Sequence, residues 1–160
     1  AQNACPNRQV ISLSGDGGFT MMMGEMLTLK QLNLPVKIFV FNNEELSFIA
    51  MEMKASGYLD YATDFVNPDF GKLAEAAGIK GVSIQNSSEV DEKIMEALNH
   101  NGPVIVNVHV DKQELAMPPK IAYQQAKGFS KYLINAILDG RGTELKEMAK
   151  TNWMKYKSLY

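Results

Sequence analysis

Two apolar runs, Val10-Ile11-Ser12-Leu13 and Val36-Lys37-Ile38-Phe39-Val40-Phe41, each end in a cluster of small and polar residues. The first stops at Gly15-Asp16-Gly17-Gly18 and the second at Asn42-Asn43, so Asp16 and Asn43 lie 27 residues apart. β-Branched and aromatic composition marks the runs as strands. Between them Thr20 to Asn33 reads as a helix carrying Met22, Met23, Met26, Leu27, Leu29 and Leu32, and Pro35 resets the chain. That length is one strand–helix–strand crossover, so the strands are expected to be parallel neighbours. Asp16 and Asn43 then emerge side by side at the carboxyl edge of the sheet, where ligands of open α/β folds bind.

The alternation continues downstream. Glu45 to Lys54 reads as a short helix, and Gly57 to Val66 as a loop with aromatic residues. Asn67-Pro68-Asp69 opens a helix with Phe70, Leu73, Ala74 and Ala77 on one face, ending at Gly78. Val82-Ser83-Ile84 is a third strand, Ser87 or Ser88 is expected to cap a helix through Leu98, and Pro103 to Val110 is a fourth strand. Residues 1–112 are therefore expected to form an open, doubly wound parallel sheet with flanking helices. Residues 113–160 are expected to form a linker at Met117-Pro118-Pro119 and a helical tail, with helices over Ile121–Leu138 and from Thr143, broken at Gly140-Arg141-Gly142.

Composition narrows the classes. With 46% hydrophobic and 21% charged residues the chain is globular. Sixteen basic against eighteen acidic side chains, net −2, argue against a nucleic-acid binder. The single Cys5 excludes an intrachain disulfide and fits a reducing, cytoplasmic setting. The first residues carry neither a signal-peptide pattern nor an initiator Met, and the chain is expected to begin within something longer. His100 and His109 lack metal-ligand spacing and read as a turn and a strand-face histidine; Met21-Met22-Met23 with Met26 reads as packing behind the loop.

The chemistry lies in the two strand-end loops. Gly15, Gly17 and Gly18 allow a tight turn and close approach to a ligand. The loop runs into a helix start, where free N–H groups attract phosphate. A carboxylate from Asp16 and an amide oxygen from Asn43 are hard ligands for Mg²⁺, which also takes phosphate oxygens. Either motif alone is often a mere turn; the pair at crossover spacing points to a Mg²⁺-bridged diphosphate.

Gly15-Asp16-Gly17 followed a crossover later by Asn42-Asn43 resembles the signature of thiamin diphosphate enzymes of the pyruvate oxidase and acetolactate synthase superfamily. More of the chain resembles bacterial pyruvate oxidase, the quinone-dependent flavoprotein: Phe48-Ile49-Ala50-Met51-Glu52-Met53-Lys54, Met117-Pro118-Pro119, Gln125-Ala126-Lys127-Gly128-Phe129-Ser130, Gly140-Arg141-Gly142 and Ala149-Lys150-Thr151-Asn152-Trp153. The resemblance implies Mg²⁺ held by Asp16, Asn43 and the backbone carbonyl of Glu45, although acidic residues at Glu44-Glu45 depart from the usual pattern. It places Gly17, Gly18 and Phe19 at the diphosphate and Phe48 and Glu52 at the substrate. The implied reaction decarboxylates pyruvate and passes two electrons through FAD to a quinone, releasing acetate. By the same resemblance the cofactor domain over residues 1–112 is incomplete upstream, since Val10 begins almost at the glycine loop, and an activating glutamate and the FAD site would come from other domains or subunits of a homotetramer, so this chain alone is expected to be inactive. An acetolactate synthase, another oxo-acid decarboxylase and a non-catalytic diphosphate-binding module are the alternatives.

The last twenty residues hold Arg141, Lys146, Lys150, Lys155 and Lys157 against Glu144 and Glu147. Leu145, Met148, Ala149, Trp153, Tyr156 and Tyr160 recur at near-helical spacing. A helix docked on its own enzyme and a basic, aromatic helix lying on a lipid surface both fit this pattern. The resemblance implies both in turn, making Lys150, Trp153 and Lys155 a membrane switch and the enzyme peripheral on the inner face of the cell membrane.

Overall fold

Four strands, β1 (Ile11–Gly15), β2 (Lys37–Asn42), β3 (Lys80–Ile84) and β4 (Val104–His109), form one sheet in the order β1-β2-β4-β3. Every pairing is parallel, as the crossover spacing requires. The computed structural model describes residues 1–112 and 122–158, with side chains described as far as Trp153. The chain divides into two compact units, Ala1–Glu44 with Val66–Val110, and Glu45–Phe65 with Asp111–Tyr160.

In the first unit β2 and β4 are central and covered on both faces, which is why they read as nearly continuous apolar runs. Val40 and Ile105 point to one face and pack with Phe19, Phe70, Ala74 and Ile79. Phe39, Val104 and Val106 point to the other and pack with Val82, Ile84 and Ala97. Each of the Val, Ile and Phe side chains among them contributes roughly 1.5–3 kcal/mol by leaving water. Phe19 and Phe70 meet edge to face at 5.1 Å between ring centres.

The single helix expected over Thr20–Asn33 is instead three pieces: α1 (Asp16–Met21), a 3-10 turn (Met23–Glu25) and α2 (Met26–Gln31). The helix starts early because Gly15 adopts an extended N-cap conformation (φ −71°, ψ 157°), and the ladder breaks at Met22 (φ −126°, ψ 19°). The methionine run divides accordingly: Met23 and Met26 pack against the core, whereas Met21 and Met22 are exposed. Neither Ser87 nor Ser88 caps a helix. They lie in a 3-10 turn (Ser87–Glu89) ahead of α5 (Val90–Asn99), whose N-cap residue, Glu89, makes no side-chain cap bond.

By contrast α4 (Phe70–Ala76) is capped by Asp69, which accepts hydrogen bonds from Gly71 N–H and Lys72 N–H, with Pro68 just before the cap. This helix lies so close to β3 that a Cβ on Gly81 would sit 1.9 Å from the Gly71 carbonyl oxygen.

The second unit consists of α3 (Ser47–Ala55), α6 (Tyr123–Leu138), α7 (Gly142–Ser158) and the loop before residue 66, which pairs Asp64 with Glu45 in an antiparallel bridge. Tyr132, Ala136 and Met148 form its core, with Leu59, Phe129, Leu133 and Leu145 around them. Gly140 (φ 79°) turns the chain between α6 and α7. Lys54, buried, pairs with Glu144 at 3.1 Å, and Arg141 pairs with Asp60 at 3.0 Å. The Tyr132 hydroxyl donates to Glu144, and burial together with that carboxylate pushes the phenol well above its usual range. The linker Met117-Pro118-Pro119 lies outside the described residues. Among those described, no helix is long and apolar enough to cross a membrane.

Candidate metal–diphosphate site

One face of the sheet changes character along its strands. On β2, Ile38 and Val40 are followed at the same parity by Asn42; on β4, Ile105 is followed by Asn107 and His109. In the register Val40 stands opposite Asn107, which makes Asn42 the diagonal neighbour of Asn107. The apolar floor thus gives way to polar groups at the carboxyl edge.

These groups gather around Asp16, which immediately follows β1 and is 3% exposed. Its Oδ1 accepts from Gly17 N–H at 2.8 Å. Its Oδ2 accepts from Glu44 N–H and from Asn67 Nδ2, both at 2.8 Å. The same Asn67 amide donates to Asn42 Oδ1 at 3.0 Å, and Glu44 N–H reaches that oxygen at 3.3 Å. Asn42 Nδ2 in turn donates to Asn107 Oδ1 at 3.1 Å. Glu44 takes the left-handed conformation (φ 58°) to aim its N–H at Asp16, a strained arrangement of the kind found at binding sites.

The donor set suits one small hard cation. Among the described residues no cationic side chain pairs with Asp16, and its three donors fill three of the roughly four acceptor positions of a carboxylate. No group of three His, Cys, Asp or Glu side chains suited to a metal occurs among the described residues. One carboxylate with amide and backbone oxygens is what Mg²⁺ uses when phosphates complete its shell. Beside Asp16, Gly15 and Gly18 are exposed, Gly15 with open space where a side chain would be, so a ligand can come against the backbone.

The other residues singled out in the sequence fall as follows. Gly17 and Phe19 are buried on α1, and Asn43 is half-buried just past β2. Glu45 begins the second unit; burial pushes its carboxyl up, against the opposing pull of Lys54 and Lys112. Phe48 and Glu52 lie on α3, both exposed, so Phe48 is not the core aromatic that its type alone would suggest. Lys150 and Trp153 are exposed on α7, and the Lys155 side chain lies outside the described ones. The sequence pattern marks Asn67 only as part of the helix opening Asn67-Pro68-Asp69 and does not place it beside Asp16. For Asn107 a signal exists, a lone amide in the apolar run Val104–Val108.

A buried, amide-held carboxylate thus stands at the carboxyl edge of a parallel α/β sheet. Residues 1–108 match the model of the thiamine pyrophosphate enzyme C-terminal TPP-binding domain, and the chain belongs to that family. It is 37% identical over 146 residues to a Bacillus subtilis (strain 168) protein provisionally named as the thiamine pyrophosphate-containing protein YdaP, covering 91% of this chain and 25% of that one. It is 39% identical over 119 residues to the mitochondrial acetolactate synthase catalytic subunit of Saccharomyces cerevisiae, covering 74% of this chain and 17% of the relative. The acetolactate synthase isozyme 2 large subunit of Escherichia coli (strain K12) is 35% identical over 120 residues, with 74% and 22% covered. The chain thus spans a quarter or less of the length of these relatives.

Proposed function

We propose that the chain supplies the Mg²⁺ and thiamin diphosphate site of an enzyme that decarboxylates pyruvate, with acetolactate synthesis as the overall reaction. The buried Asp16 carboxylate, oriented by neutral donors and lacking a cationic partner among the described residues, carries the first half of this reading. The names of the relatives from yeast and Escherichia coli support the second half. Asp16 and Asn43 would ligate Mg²⁺ by side chain and Glu45 by its backbone carbonyl; Gly15, Gly17, Gly18 and Phe19 would lie along the diphosphate. When bound, thiamin diphosphate supplies an acceptor for the electron pair left when a 2-oxo acid loses carbon dioxide. The chain's own part is to fix the metal and exclude competing ligands. Phe48 and Glu52 are candidates to contact the substrate on the strength of the motif around them.

A second reading is oxidation of pyruvate to acetate through FAD and a quinone. The motifs of the pyruvate oxidase resemblance in the tail, including Ala149-Lys150-Thr151-Asn152-Trp153, are what this reading rests on. Feeding ¹³C-pyruvate to the holoenzyme and identifying the product by NMR separates them: acetolactate supports the first reading, and acetate formed only with an electron acceptor overturns it in favour of the second.

A further inference from the structure

The polarity of the Asp16 cluster can be followed atom by atom. Asp16 Oδ2 can only accept, so the Asn67 atom 2.8 Å from it is Nδ2. That nitrogen also faces Asn42 at 3.0 Å, so the Asn42 atom there is Oδ1, an assignment that Glu44 N–H independently requires. Asn42 therefore turns Nδ2 toward Asn107, which must answer with Oδ1 at 3.1 Å. Asn107 is left with Nδ2 pointing at His109 Nε2, 3.1 Å away. A ring nitrogen facing a donor must accept, so the imidazole carries its hydrogen on Nδ1. Asn42 and Asn107 are 2% and 0% exposed, so neither amide can reverse without leaving buried donors facing one another.

We infer that Asn107 is a positioning residue for the metal–diphosphate site: it holds the Asn42 amide in the one orientation that lets Asn67 and the Glu44 N–H converge on Asp16, and His109 Nε2 closes the chain at the exposed end. The ordering runs through side chains outside the ligand set, as partners behind metal ligands commonly do. The role in cofactor binding rests on the reading of Asp16 as a Mg²⁺ ligand; the hydrogen-bond order does not.

The test uses two substitutions with opposite chemistry. Asn107→Asp keeps an acceptor for Asn42 Nδ2 but removes the donor to His109. Asn107→Val removes both. The full chain and both variants are titrated with thiamin diphosphate in excess Mg²⁺ by calorimetry, circular dichroism reporting that each is folded. In parallel the His109 ring nitrogens are assigned by ¹⁵N NMR at about pH 8, above the ordinary imidazole range. The expected result is binding weakened about tenfold or more in Asn107→Val and within about threefold of the unsubstituted chain in Asn107→Asp. His109 should be Nδ1-protonated in the unsubstituted chain and switch to Nε2-protonated in Asn107→Asp. A purely structural role makes affinity follow stability, and a buried charge would then make Asn107→Asp the weaker binder. Equal binding by Asn107→Val, or an Nε2-protonated His109 in the unsubstituted chain, overturns the inference. Failure of the unsubstituted chain to bind thiamin diphosphate counts against the functional reading, and with it the cofactor role of Asn107. The His109 spectrum needs no variant and decides the hydrogen-bond order by itself.

Discussion

In the second unit two buried or half-buried cations, Lys54 and Arg141, meet three carboxylates, Asp60, Asp139 and Glu144. In the first unit the buried Asp16 carboxylate meets only neutral donors: two backbone N–H groups and the Asn67 amide. In the first arrangement every carboxylate has a cationic partner within its own unit, and the Lys54–Glu144 pair ties α3 to α7. The second holds a negative charge in a fixed direction while leaving it uncompensated among the described residues. Burying an unpaired ion is costly, so such a group is expected where a ligand supplies the missing charge. The contrast is between carboxylates that each have a cationic partner in their own unit and one, Asp16, held by neutral donors where the proposed cation would sit.

Breaking the ion-pair cluster should have the largest effect. Lys54→Met leaves Glu144 and Asp60 with Arg141 alone, and denaturant titration should show a loss of about 3 kcal/mol, as for one partner removed from a buried pair. If the loss is below about 1 kcal/mol, the cluster is a solvated surface network, and the contrast with Asp16 weakens.

The next effect sharpens what a carboxylate does when neutral donors hold it at a helix start. Asp69→Ala should cost about 1 kcal/mol at neutral pH through the lost cap of α4. Burial opposes ionisation of Asp69, but hydrogen bonds from the Ser83 hydroxyl and from Lys72 and Gly71 N–H outweigh it and hold the carboxyl below its usual range. A carboxyl depressed in the folded state contributes fully above its unfolded pKa of about 4 and loses that contribution as pH falls through the lower folded value. The stability difference between the parent and Asp69→Ala should therefore shrink in acid; a difference that grows below about pH 4 contradicts the assignment.

The smallest effect concerns strain. Glu44→Gly removes a side chain from a left-handed position (φ 58°) while keeping the N–H that reaches Asp16. The relief exceeds the entropy of the added glycine only slightly, so thermal unfolding should show a net gain of about 0.5 kcal/mol. A clear loss would mean that the Glu44 side chain contributes more than its backbone conformation costs.

Much of the first unit was legible because its signals are local. Apolar runs ending at Gly15 and Asn42, separated by a helix-length segment, dictate parallel neighbours, and the four strands appear within a few residues of where the pattern puts them. The break at Met22 was not legible, since Met is a good helix former and the disruption comes from the turn conformation there. Segment 45–65 belongs with the tail in the second unit rather than with the flanking strands, because its ties are long-range: Lys54 to Glu144 and Asp60 to Arg141. Periodicity carries no record of partners ninety residues away. The same reason hid Asn67, whose role depends on a loop returning to Asp16 across 51 residues.

The central claim, that Asp16 is held ready for a cation bridging to a diphosphate, is tested most directly by calorimetric titration of the full chain and of Asp16→Asn with thiamin diphosphate, each with Mg²⁺ and with chelator. The account predicts saturable binding that requires Mg²⁺ and falls more than about 100-fold in Asp16→Asn, beyond the loss typical of outer-shell partners, with the circular dichroism of the fold retained. Binding that persists in chelator, or that is unchanged in folded Asp16→Asn, would contradict it.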